Sequence, residues 1–324
     1  MSKTFEKVLI TGGLGFIGSH LVKRLAEQAT HITIMDVAPY AHTTASDLGV
    51  GDWRQVEILA RDCLSAEAFV DLGNDYDLII HASAVLGIQK VADEPLHTLD
   101  TNILGTKCVL EFAARQKNLQ KFVFFSTSEV YGQEANQKDE ASSFVIANDS
   151  PRWCYAASKV TGEFYVQAYG NQYGFETAIV RPFNVYGPYR YGSNAMTKLV
   201  AKALKGEDII ISGNGSQSRS WCYIDDFVEG VLASCMQSRE KHAVFNIGND
   251  RDFLTMRDFA EKLIKLSGSS SRILVEGKSG ADVQVRRPDL EKARRLLGYN
   301  PSVDLETGMT RVIQWAAQAN RPLH

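Results

Sequence analysis

Tyr155 and Lys159 stand four residues apart in the stretch PRWCYAASK. That spacing puts both on one face of a helix. An ammonium held close to a phenol favours the phenolate. Such a pair can take the proton of a hydroxyl group while hydride leaves the same carbon. YxxxK also occurs on helices that do no chemistry, so the spacing alone leaves a plain helical surface open. A second polar group adds weight. The run Lys121–Thr127 is nearly all apolar, the pattern of a strand covered on both faces, and it ends in the polar cluster Ser126-Thr127-Ser128-Glu129. In an open parallel sheet the carboxyl ends of strands face the ligand crevice. Thr127 can there hydrogen-bond a reacting oxygen. Glu129 can serve as acid, base or orienting group, with a solvated turn glutamate as the plain alternative.

Hydride chemistry needs an acceptor, and the N-terminal segment VLITGGLGFIGSHL points to one. It reads as strand, glycine turn and helix start in that order. Gly12, Gly15 and Gly18 form GxxGxxG, which differs from the GxGxxG spacing but serves the same ends. Gly12 suits backbone angles closed to other residues, Gly15 lets the chain approach a pyrophosphate, and Gly18 lets the helix pack closely. The helix start, with Phe16 and Ile17, turns its N–H groups toward phosphate. Asp36 ends the second strand, where a carboxylate can accept hydrogen bonds from an adenosine ribose. The next residues, Val37, Ala38 and Pro39, bring no arginine, so a 2′-phosphate meets a negative charge and no partner. This selects NAD over NADP. Asp62, beside Cys63 after a third strand, is a weaker candidate for the adenine end.

These residues need elements to position them. Strands are expected at Lys7–Thr11, His31–Asp36, Gln55–Ala60, Tyr76–Ala82, Lys121–Thr127 and Glu176–Phe183. Helices are expected at Ile17–Ala29, Thr101–Gln116 and Ala157–Tyr169. The alternation implies an α/β fold, a doubly wound parallel sheet of Rossmann type with helices on both faces. After Asn184 glycine-rich turns multiply, with helices near Ala195–Lys205, Asp225–Gln237, Thr255–Leu266 and Leu305–Ala319. We read residues 1–180 as the dinucleotide domain. Residues 181–324 are read as a smaller substrate lobe that exchanges a strand or helix with it.

The chain has 324 residues, 44% hydrophobic, with a formal net charge of −3. That supports a large core and offers no basic footprint for nucleic acid. Cys63, Cys108, Cys154, Cys222 and Cys235 form no CxxC pair, so neither zinc nor a disulfide framework is expected, and a reducing, cytoplasmic setting fits. No signal peptide and no segment long enough to cross a bilayer is expected.

At this point several stretches carry a family resemblance: TGGLGFIGSHL, DTNILGTKCVLEFA, KFVFFSTSEVYG, PRWCYAASK, IVRPFNVYGP, GNGSQSRSWCYIDDFVEGV and VRRPDLEKARRLLGY. Together they resemble the extended short-chain dehydrogenase/reductases, in their nucleotide-sugar epimerase, dehydratase and decarboxylase branch. The resemblance implies that Thr127, Tyr155 and Lys159 are the catalytic set. It implies that Ala82, Ser83 and Asn102 line the NAD site. It puts Asn184 near the sugar diphosphate and Arg219 on the diphosphate itself. It also implies a homodimer, paired through the helical stretches Asn102–Gln116 and Ala156–Tyr169.

The branch begins by oxidising C4 of the sugar, after which epimerisation, dehydration or decarboxylation can follow. Thr127-Ser128-Glu129 resembles the triplet of UDP-glucuronate decarboxylases, and Ser128 falls on the substrate side, where sugar dehydratases more often carry Asp. The tail around Arg286 resembles the decarboxylase tail in which an arginine meets the sugar carboxylate. Ala156-Ala157-Ser158 and the Tyr189-Arg190 order after GP depart from the xylose-forming enzymes. The expectation is a UDP-glucuronate decarboxylase. A 4-epimerase of a nucleotide-sugar is the runner-up, followed by a 4,6-dehydratase or C4 dehydrogenase and then a non-catalytic dinucleotide sensor.

Overall fold

Strand β1, Phe5–Thr11, is the fully covered strand that its apolar run predicts, with Val8, Leu9 and Ile10 at zero exposure. The computed structural model describes residues 4–37, 53–190, 195–237, 240–277 and 283–318. After β1 come β2 (Ala29–Asp36), β3 (Val56–Ala60), β4 (Leu78–His81) and β5 (Lys121–Phe125). With β7 (Glu176–Pro182) and β12 (His242–Ile247) they form one seven-stranded sheet in the order β12-β7-β5-β4-β1-β2-β3. Each of the pairs from β7 to β3 is parallel. The order reverses between β1 and β4, which opens a crevice at their carboxyl ends.

Four helices of this region matter for the site: α1 (Phe16–Leu25), α2 (Ile88–Asp93), α3 (Pro95–Ala113) and α4 (Cys154–Tyr173). All four differ from the sequence expectation: α2 is not anticipated, α4 runs past the expected Ala157–Tyr169 at both ends, and α1 and α3 shift for identifiable reasons. The helix expected over Ile17–Ala29 ends at Leu25, because the chain turns through residues 26–28 and Ala29 already pairs with Phe5 in the sheet. The helix expected from Thr101 starts at Pro95, where a proline costs no helical hydrogen bond. Its extra turn carries buried Thr98, which hides the helical period. The core between this sheet and its helices includes Leu9, Ile79, Val109, Phe112, Phe122 and Phe124.

The chain divides into two compact units. The first comprises Met1–Val130, Ile146–Arg181 and Val231–Phe245; the second comprises Tyr131–Val145, Pro182–Gly230 and Asn246–His324. The second unit is built on a four-stranded sheet in the order β13-β10-β15-β6, with β6 at Glu134–Lys138, β10 at Ser218–Ser220, β13 at Phe253–Thr255 and β15 at Val285–Pro288. Two small parallel pairs join β8 (Val185–Tyr186) to β11 (Cys222–Tyr223) and β9 (Ile209–Ser212) to β14 (Ile273–Glu276). Helices α5 (Ala195–Lys205), α6 (Ile224–Met236), α7 (Met256–Ser267), α8 (Glu291–Leu297) and α9 (Leu305–Gln318) complete the described elements. Most of these strands are two to four residues long, too short for a period-2 pattern to announce them.

Candidate active site

The glycine turn is dictated by close chain approach. Gly12 has φ +72°, and a Cβ there would lie 2.7 Å from the Ser83 amide nitrogen and 2.9 Å from the Ala82 carbonyl carbon. At Gly18 a Cβ would fall 2.2 Å from the Gly12 carbonyl oxygen. Gly15 is the N-cap of α1, and its Cβ position meets only the Gly12 carbonyl oxygen, at 3.2 Å. Phe16 and Ile17 open that helix, whose first-turn N–H groups have no partner within the helix. A phosphate-sized anion fits such a cradle.

Asp36, buried at the end of β2, accepts hydrogen bonds from the Leu14 amide at 3.1 Å and the Val37 amide at 2.9 Å. It is therefore joined to the glycine loop itself. Burial pushes its carboxyl above the usual value, and the two amide bonds oppose that. Ala38 and Pro39 lie outside the described residues. Asp62 is exposed and accepts from the Leu64 amide at 3.0 Å, whereas Cys63 is buried, its thiol pushed up to about 12 by desolvation. Ala82 donates to the Thr11 carbonyl at 3.0 Å, bringing the ends of β4 and β1 together.

Tyr155 and Lys159 occupy the first two turns of α4. A 3-10 turn over Pro151–Trp153 leads into that helix. Lys159 is buried, donates to the Phe125 carbonyl at 2.8 Å and lies 4.8 Å over the Phe124 ring. Burial brings its ammonium down to about 7, and the nearby Glu163 carboxylate opposes this. Thr127 accepts from the Glu129 amide at 3.2 Å, and Ser128 is buried beside it. Glu129 is ion-paired with Arg152 at 3.8 Å, and Arg152 lies 4.7 Å from the Trp153 ring. The end of β5 and the start of α4 thus hold Thr127, Glu129, Arg152, Tyr155 and Lys159 in the first unit.

Asn102, on α3, is buried. It accepts from the Val85 amide at 2.8 Å and donates to the Ser158 hydroxyl at 3.1 Å.

The second unit carries the remaining candidates. Asn184, at φ +40°, donates from its side-chain amide to the Ser220 carbonyl at 2.8 Å. Asparagine tolerates this left-handed region better than most residues. Arg219 on β10 and Arg286 on β15 are direct partners in a parallel register, so their side chains leave the same face of the sheet. Arg219 donates to the Ser218 carbonyl at 3.0 Å, and Arg286 is buried. Asp282 lies outside the described residues.

The sequence reading did not single out Arg152, His81, or the buried pair of Glu163 and Arg181. Arg152 was visible as a cation three residues before Tyr155. His81 was visible as a polar residue closing an apolar strand.

A switch-point crevice with a glycine cradle beside a Tyr–Lys helix defines a dinucleotide-dependent enzyme of the short-chain dehydrogenase type. The sequence pattern of the NAD dependent epimerase/dehydratase family matches residues 8–248, and the chain belongs to that family. It is an enzyme that uses NAD. The chain is 30% identical to a UDP-N-acetyl-alpha-D-glucosaminuronate decarboxylase of Bacillus cytotoxicus, over 96% of this chain and 97% of that protein. It is 33% identical to UDP-glucuronic acid decarboxylase 1 of Danio rerio, over 97% of this chain and 73% of that protein. Among solved structures, a UDP-glucuronic acid 4-epimerase of Bacillus cereus, in complex with UDP-glucuronic acid and NAD, superposes with a TM-score of 0.82. It is 27% identical and matches across 96% of this chain and 99% of its own. No helix among the described residues is long and apolar enough to cross a membrane.

Proposed function

We propose that the protein decarboxylates a UDP-linked sugar acid, with UDP-glucuronate as the first choice, through a ketone formed at C4. The observation that carries this reading is the Glu129–Arg152 ion pair, set between Thr127 and the Tyr155 helix. The two uronate decarboxylases similar over nearly the whole chain support the substrate class.

Bound NAD supplies the acceptor for the C4 hydride and its later source. Tyr155 takes the proton of the C4 hydroxyl, and the Lys159 ammonium stabilises the phenolate form that does so. Thr127 orients the C4 oxygen. Glu129, held by Arg152, handles a hydroxyl or a water on the C4 side. With a ketone at C4, the bond from C5 to the carboxyl carbon breaks and its electrons pass to the ketone as an enolate. Carbon dioxide leaves, C5 takes a proton from the water that Glu129 orients, and Tyr155 gives its proton back to the C4 oxygen as that carbon is reduced again. Arg219 binds the diphosphate, and Arg286 extends the same positive row toward the sugar carboxylate. Asp36 takes the adenosine ribose. The five thiols, all free, suit a reducing cytoplasm. The molecule works as a homodimer through the outer faces of α3 and α4, where Leu104 is 48% and Phe164 60% exposed.

The test is carboxyl-labelled UDP-glucuronate with the NAD-loaded enzyme. Labelled carbon dioxide is expected, and its release falls in Glu129→Gln and Arg286→Ala. Full recovery of the label in UDP-galacturonate makes the protein a uronate 4-epimerase. No turnover of the uronate moves the assignment to a neutral nucleotide-hexose.

A further inference from the structure

His81 closes β4 with zero effective access to solvent, at 1% exposure. In the sheet register it stands between Thr11 at the end of β1 and Phe124 on β5, so all three side chains leave the same face. Its ring stacks on Phe124 with centroids 5.9 Å apart, and the Lys159 ammonium lies over that same phenyl ring. Both imidazole nitrogens are used. Nδ1 lies 2.6 Å from the Thr11 hydroxyl, and Nε2 lies 3.0 Å from the Thr106 hydroxyl on α3.

The direction of these bonds follows from their ends. Thr106 Oγ1 is 2.6 Å from the Asn102 carbonyl, which can only accept, so the Thr106 hydrogen is committed there. Thr106 must then accept from His81, which puts the ring proton on Nε2. At the other end the Ser83 amide, 3.5 Å from Thr11 Oγ1, can only donate. With the ring neutral and its hydrogen on Nε2, Nδ1 carries only a lone pair, so the Thr11 hydroxyl donates to it. The result is a one-way chain: Ser83 N–H to Thr11 to His81 to Thr106 to the Asn102 carbonyl. The Asn102 side chain continues it to the Ser158 hydroxyl, and that hydroxyl donates to the Tyr155 carbonyl at 2.7 Å.

We propose that His81, as a neutral imidazole protonated on Nε2, is a positioning residue that ties the NAD cradle at Gly12 and Ser83 to the helix start bearing Tyr155. The proposal rests on the reading that this cradle holds NAD and that Tyr155 performs the proton transfer. A protonated ring would present a second N–H to Thr11 and break the chain's direction. Burial and the nearby Lys159 charge hold the ring neutral, bringing its ionisation down to about 3.

The experiment uses the NAD-loaded enzyme and compares His81→Phe, His81→Gln and Thr106→Val with the parent. Phenylalanine keeps the ring and its stacking but leaves the Thr11 hydroxyl hydrogen without its acceptor and the Thr106 oxygen without its donor. Glutamine supplies one acceptor and one donor. We expect His81→Phe to hold NAD about 10- to 100-fold more weakly and to slow single-turnover NAD reduction, with nucleotide-sugar affinity within about threefold of the parent. Thr106→Val is expected to shift the same two quantities in the same direction, and His81→Gln to restore most of the loss. Parent-like NAD affinity and reduction rate in both His81→Phe and Thr106→Val would overturn the proposal. So would a loss that glutamine fails to rescue while folding is intact. Tyr155→Phe runs alongside as a control. If that change leaves NAD reduction intact, the underlying catalytic reading fails, whatever the His81 variants do.

Discussion

In the proposed mechanism Lys159 must carry a charge, and its surroundings work against that charge. Burial brings the ammonium down to about 7, so it is fully held only below that pH and is lost as pH rises through it. The Phe125 carbonyl and the Phe124 ring face compensate in part. Single-turnover reduction of NAD by substrate is therefore expected to show an ionisation near pH 7 that Lys159→Met removes. An unchanged profile takes Lys159 out of the role. In the same assay Tyr155→Phe is expected to slow reduction by about 10²- to 10⁴-fold, the usual span for a general base, with nucleotide-sugar affinity largely kept. Full single-turnover transfer in that variant removes Tyr155 as the base.

At the scale of elements, the ends of β5 and β7 are fastened to α4 by a buried ion pair. Arg181, closing β7, donates Nε to Glu163 Oε1 at 2.9 Å and a terminal nitrogen to Oε2 at 2.6 Å; both side chains are at most 3% exposed. The Ser126 hydroxyl donates to the same carboxylate, one residue before Thr127. Glu163 sits one turn beyond Lys159, so this pair fixes the depth at which the Tyr155–Lys159 helix lies on the sheet. Gly162 serves the same fit, since a Cβ there would fall 2.5 Å from the Phe124 ring. Breaking one partner leaves a buried charge. Arg181→Met is expected to cost about 3–5 kcal/mol, whereas Glu163→Leu with Arg181→Met costs much less. Urea unfolding of the three proteins checks this, and a single-variant loss below about 1 kcal/mol removes the pair from that role.

At the scale of the whole molecule, the outer faces of α3 and α4 make an apolar surface that water covers poorly. Leu96, Leu104 and Phe164 are each at least 48% exposed. A second copy meeting this surface buries it. Sedimentation velocity at micromolar protein is expected to give a dimer, and Phe164→Glu is expected to shift it to the monomer while its helical signal is kept. A parent protein that sediments as a monomer rejects the dimer.

Local pattern was enough to read the glycine turn, the strand-ending Asp36 and the Tyr155–Lys159 spacing. Each depends on near neighbours in the chain: a backbone angle only glycine adopts freely, a strand end, or a single helical turn. The apolar runs of β1, β4 and β5 were legible for the same reason, because strands buried on both faces admit few polar residues. Helix ends at Leu25 and Pro95 were not, since pairing of Ala29 with Phe5 and burial of Thr98 are distant events. The second unit's strands are too short for a period to register, and residues 131–145 and 231–245 change units through contacts far along the chain. The register that sets Arg219 beside Arg286 joins residues 67 positions apart, and the His81 chain joins Thr11, Thr106 and Ser158. By itself, then, the sequence determined which groups are available for chemistry and which turns and strands present them. Only the tertiary structure decided which of those groups are neighbours, because sheet register and helix packing depend on contacts that no local spacing encodes.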